Sequence, residues 1–66
     1  MIDEETKADI RRRLHEAKAD NAPTDATLLA LHYNANSDDE HRELVRFICQ
    51  EAKKAGASIK GCNGAV

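Results

Sequence analysis

Sixty-six residues carry 10 Lys plus Arg against 12 Asp plus Glu, a net charge of −2. That length allows one domain, and that balance excludes a general pull toward nucleic acid or an anionic membrane. No apolar run approaches the roughly 20 residues that span a bilayer. The segment Met1-Ile2-Asp3-Glu4-Glu5 is acidic where a signal peptide is basic and then apolar, which predicts a cytoplasmic protein.

Helix 1 is expected over residues 3–20. Asp3, Glu4 and Glu5 suit the positive end of a helix dipole, and Asp3 can cap free backbone N–H groups. Ile10, Leu14 and Ala17 recur at i, i+4 and i+7 as one narrow apolar stripe, with Asp9 placed to pair with Arg12 and Arg13. The helix should stop by Asn21-Ala22-Pro23, because a residue before proline is pushed out of the helical region.

Helix 2 is expected over 25–33 with Thr24 as its cap. Ala26, Leu29, Ala30 and Tyr33 face one way, while Leu28, Leu31 and His32 face another. A helix apolar on most of its circumference calls for cover on most of it. After Asn34-Ala35-Asn36, either asparagine able to take the left-handed turn, Ser37-Asp38-Asp39-Glu40 spells a capping box. Helix 3 should run over 38–55 with the stripe Leu44, Val45, Ile48, Ala52 and Ala55. Lys53 and Lys54 lie at its negative end and Gly56 stops it. Residues 57–66 hold two more glycines and no periodicity, which predicts a frayed tail behind a helical domain of 1–56. No strand candidate stands out. The fold class is therefore all-α, three short helices in a small bundle or hairpin.

The other large apolar residues, Ile2, Phe47, Ile59 and Val66, are few, and several lie near the termini. A chain this short hides only about 60% of its unfolded surface, so completion of the core by a homodimer is expected.

His15, His32, His41, Cys49 and Cys62 contain no pair at the two-to-five-residue spacing typical of structural zinc. No metal, cofactor or catalytic residue is expected. The two cysteines suggest no disulfide framework in a reducing compartment: Cys49 falls at the edge of the helix 3 stripe and Cys62 in the tail. Arg11-Arg12-Arg13 fans around helix 1 at about 100° per residue. Lys7, Arg11 and Lys18 are more coherent: they share one face that could follow phosphates, dock an acidic partner or simply be solvated. Phe47 leaves the helix 3 stripe by about a quarter turn, so it either packs under helix 1 or anchors an interface.

These features predict a non-enzymatic regulatory protein that binds another protein and modulates, most simply inhibits, its activity. Small adaptors and phage-type modulators of host factors act in this way, an analogy of class only. The interaction candidates are Leu28, Leu31, Tyr33, Phe47, Lys7, Arg11 and Lys18. The alternatives are a nucleic-acid-binding regulator using the Lys7, Arg11 and Lys18 face, and a structural subunit of a larger assembly.

Overall fold

The computed structural model describes residues 2–33 and 35–62. In chain order it holds α1 (Glu4–Ala19), β1 (Thr24–Asp25), α2 (Ala26–Leu31), α3 (Asp38–Ala55) and β2 (Ile59–Lys60). The predicted helices are present, and a small sheet joins them.

Helices α1 and α3 start and stop where their local residues dictate. Asp3 holds an extended backbone and its carboxylate accepts from the Thr6 N–H at 2.8 Å; the Thr6 side chain, and then this N–H, hold the carboxyl below its ordinary range. Ser37 does the same for α3, its hydroxyl accepting from the Glu40 N–H at 3.2 Å. Both helices end in a Schellman motif. At α1 the left-handed residue is Asn21 (φ 56°), with Asn21 N–H donating to the Lys18 carbonyl and Ala22 N–H to that of Ala17. At α3 it is Gly56 (φ 72°), with Gly56 N–H on Lys53 and Ala57 N–H on Ala52. The turn before Pro23 is thus closed by Asn21 itself, one step earlier than the proline constraint requires.

Helix α2 departs from expectation. It begins at Ala26, and its cap is Asp25, whose Oδ1 accepts from Thr27 N–H (3.0 Å) and Leu28 N–H (3.2 Å). Thr24 does not cap it but lies one residue before the cap in β1, its N–H donating to the Ser58 carbonyl at 3.0 Å. The last turn tightens, His32 and Tyr33 donating to carbonyls three residues back, so Tyr33 lies just beyond the helix. Of the two asparagines expected to close this turn, Asn34 lies outside the described residues.

The segment from 57 to 62 corrects two further expectations. Ile59–Lys60 pairs in parallel with Thr24–Asp25, Thr24 opposite Ile59 and Asp25 opposite Lys60. Cys62 forms a disulfide with Cys49, 13 residues earlier. Residues 57–62 are therefore a strap laid across the helices, where a frayed tail was expected; residues 63–66 lie outside the described residues.

The core is Ile10 and Leu14 from α1, Ala26 and Ala30 from α2, and Leu44, Val45, Ile48, Cys49 and Ala52 from α3. Cys49 sits inside the α3 stripe, 3% exposed, where its edge was expected. Around this core lie half-buried Ile2, Leu29, Tyr33, Phe47 and Ile59. Among the described residues no helix is long and apolar enough to cross a membrane.

Candidate functional site

Three surfaces gather the side chains with chemical potential. The first joins α1 to the end of α2. Asp9 accepts from Tyr33 Oη at 2.6 Å and Arg13 Nε at 3.0 Å on one carboxylate oxygen, and from Arg12 Nη2 at 2.6 Å on the other. The Tyr33 hydroxyl and Arg13 hold the Asp9 carboxyl down at about 2. Burial, and then the bond to Asp9, push the Tyr33 phenol up to about 12. Arg13 also places Nη2 3.1 Å from His32 Nε2. A guanidinium only donates, so in this arrangement His32 accepts through Nε2 as a neutral ring with its hydrogen on Nδ1. The His32 ring meets the Tyr33 ring edge-on at 5.2 Å. The cluster works as a polar clasp between α1 and α2, and it gives the Tyr33 hydroxyl an internal partner where water or another chain was expected.

The second surface is the seam between α1 and α3, and it contains the predicted basic face. Arg11 Nε donates to Glu51 at 2.7 Å, and its guanidinium lies 5.7 Å from the centre of the Phe47 ring. Lys7 lies 6.0 Å from the same ring and 3.6 Å from Glu4. Lys18 Nζ donates to the Ala55 carbonyl at 2.6 Å, neutralising the negative end of α3. Glu51 also pairs with Lys54 at 3.4 Å, and Arg11 beside it holds its carboxyl below the usual range. The three predicted cations do share a seam, and each is engaged within the chain. Phe47 lies half-buried beneath Lys7 and Arg11, the packing under helix 1 that was one of its two expected roles.

The third surface is the outer side of α2. Ala26 and Ala30 turn inward and are fully buried, which leaves Leu28 and Leu31, three residues apart, on the opposite side. They are 66% and 61% exposed, and they are the large hydrophobic side chains that stand out into solvent among the described residues. Beside Leu28 runs a shallow groove lined by Pro23, Leu29, Arg13, His32 and Lys60. Beside Leu31 runs another, lined by Ala35, Ser37, Asp38 and His41. The first groove also holds Thr24 and Asp25, so it carries Arg13 and Lys60 together with a carboxylate, and the second carries Asp38 beside His41.

Sequence reasoning placed Leu28 and Leu31 in the interface set but could not say that the same protomer leaves them bare. It missed Asp9 as the centre of a cluster, although Asp9, Arg12 and Arg13 share a helix face. Among the described residues no group of His, Cys, Asp and Glu converges as metal ligands do. No protein-family model matches the chain, and no curated protein or solved structure is significantly similar to it.

Proposed function

We propose that this chain is a non-enzymatic regulatory module that acts by binding protein, with the Leu28 and Leu31 ridge of α2 as its docking surface. The observation that carries this reading is the exposure of two leucines, 66% and 61%, on a helix whose other face is sealed. Exposed leucines scattered singly are ordinary; two on one short ridge are a patch.

The occupant that this surface suits is a second copy of the chain. A two-fold axis through the middle of α2 sets Leu28 of one copy against Leu31 of the other. Such an axis repeats the leucine contact twice, as an isologous interface requires. The pair then regulates a further protein by occupying its surface, and inhibition is the simplest form of that. The nucleic-acid alternative loses support, because Arg11 and Lys18 are already committed to Glu51 and the Ala55 carbonyl. The Cys49–Cys62 bond weighs against the cytoplasmic expectation, because disulfides persist mainly where thiols are not kept reduced.

Light scattering at micromolar to millimolar concentration tests the docking surface. The wild-type chain is expected at twice the 7.3 kDa protomer mass, and Leu28→Glu at the protomer mass with unchanged helix content. A wild-type chain that stays at the protomer mass throughout, or a Leu28→Glu variant that still pairs, sinks the α2 interface.

A further inference from the structure

The Cys49–Cys62 bond ties two parts of the molecule whose hold on the fold is very unequal. Cys49 belongs to the core of α3, whereas Cys62 ends the strap just beyond β2. Beyond that bond, Ala57 packs against the core at the near end of the strap. Thr24 N–H donates to the Ser58 carbonyl, the ladder with β1 is two residues long, Thr27 Oγ1 donates to the Gly61 carbonyl at 3.2 Å, and Ile59 is half-buried. Gly61, at φ +78°, runs so close to the cap of α2 that an added Cβ would come within 2.7 Å of Asp25 Oδ1. A six-residue segment held by so few contacts does not offset the entropy of ordering its own backbone. The covalent tether supplies the difference by keeping its end beside α3.

The helices have no such dependence. Their capping residues, Asp3, Asn21, Asp25, Ser37 and Gly56, lie within the first 56 residues, with only the Ala57 N–H at the end of α3 coming from the strap, and all nine buried core residues lie there too. Losing the bond removes one cross-link from that core and no side chain.

We propose that Cys49–Cys62 is a thiol-operated latch: reduction releases residues 57–62 from β1 and from the N-terminus of α2 while the three helices stay folded. Access dictates the route. Cys49 is 3% exposed, while Cys62 is half-buried between exposed Gly61 and the solvent side of the strap. An external thiolate, of glutathione or a protein dithiol, attacks the Cys62 sulfur. The S–S bond breaks, a mixed disulfide forms on Cys62, and Cys49 departs as a thiolate that takes up a proton. A second external thiol attacks the outer sulfur of the mixed disulfide and frees Cys62, which is protonated in turn. Two external thiols are oxidised to one disulfide, and two electrons and two protons arrive on Cys49 and Cys62.

Opening frees the Thr24 N–H and removes Lys60 from the groove beside Leu28. The strap thus carries one wall of the surface assigned to docking, yet the latch operates whether or not that surface binds anything.

The test compares the full oxidised chain with the same chain in a buffer of mostly reduced glutathione, by amide hydrogen exchange and circular dichroism. The expected result is at least roughly tenfold faster exchange at Thr24, with the helical signal retained and Cys62 open to alkylation. Cys62→Ser, which keeps the buried Cys49 sulfur in place, is expected to show the fast Thr24 exchange without reductant and no further change on adding it. A bond that glutathione leaves closed and only a strong phosphine opens overturns the latch. Unchanged Thr24 protection after reduction overturns it as well. So does loss of the whole helical signal, which would make the bond a staple for the entire fold; the wild-type comparison decides this even if the variant does not fold.

Discussion

The seam between α1 and α3 and the outer side of α2 treat their side chains in opposite ways. Along the seam every cation predicted to face a partner has found one inside the chain: Arg11 on Glu51, Lys18 on the Ala55 carbonyl, Lys7 beside Glu4, with Phe47 beneath two of them. On α2 the two exposed leucines have no neighbour to cover them, and charge lies only at the flanks. The difference teaches where to look for binding in a small chain. Charged groups on a long helix are easily satisfied by the next helix, so a basic face is weak evidence for a partner. Apolar side chains on a helix only six residues long cannot all turn inward, and what is left over is available.

The comparison breaks first on the inner side. Leu14 is 1% exposed between α1 and the core, so Leu14→Ala should cost about 2–5 kcal/mol, enough to leave so small a domain largely unfolded. A chemical denaturation midpoint close to wild type would mean that the seam is not packed as described.

Tyr33→Phe comes next and sharpens the role of the clasp. Losing the bond to Asp9 should cost about 1–2 kcal/mol at neutral pH. The pH dependence adds a signature at each end. Asp9 has its folded pKa lowered to about 2, so its contribution is complete above its ordinary 3.8 and fades as pH falls through 2. Tyr33 has its folded pKa raised from 10.0 to about 12, so its contribution is complete below 10.0 and fades as pH rises through 12. Thermal melts between pH 9 and about 12 should therefore fall for the wild-type chain and stay flatter for Tyr33→Phe. Equal slopes would place the hydroxyl in water and not on Asp9.

Ser37→Ala removes the cap of α3 and should lower stability by about 1 kcal/mol in a urea titration. An unshifted midpoint would show that α3 does not rely on that hydroxyl. The smallest effect on the protomer belongs to Leu28→Glu. Position 28 is in the first turn of α2, where a carboxylate meets the positive helix end, so protomer stability should move by less than about 0.5 kcal/mol. The contrast with Leu14→Ala, one leucine indispensable to the fold and one irrelevant to it, separates core from docking surface most cleanly.

The long helices were legible because their signals are local. Asp3 reaches Thr6 and Ser37 reaches Glu40, each three residues away, and Gly56 closes α3 at the residue where the stripe ends. The apolar spacing of Ile10 with Leu14, and of Leu44, Val45 and Ile48, already marked the faces that meet. Helix α2 was legible as a helix but not in its bounds. Thr24 was expected as the cap, but the pairing of Thr24–Asp25 with Ile59–Lys60 holds Thr24 in a strand and the helix starts one residue later, on Asp25. Phe47 shows the same limit: its position a quarter turn off the stripe suited either packing or exposure, and the cations of α1 decided for packing.

By itself, then, the sequence determined three helices, the ends of two of them and the apolar stripes that α1 and α3 turn to the core, since each depends on groups within about one turn of each other. Only the tertiary structure decided the rest. The disulfide joins residues 13 apart, the Asp9–Tyr33 bond spans 24 positions and the Thr27–Gly61 bond spans 34. No periodicity in a single chain reports such pairs, because they exist only once the helices have brought distant segments together. The exposure of Leu28 and Leu31 belongs with them: α2 presents apolar residues on two sides, and which side remained bare depended on where α1, α3 and the strap came to rest.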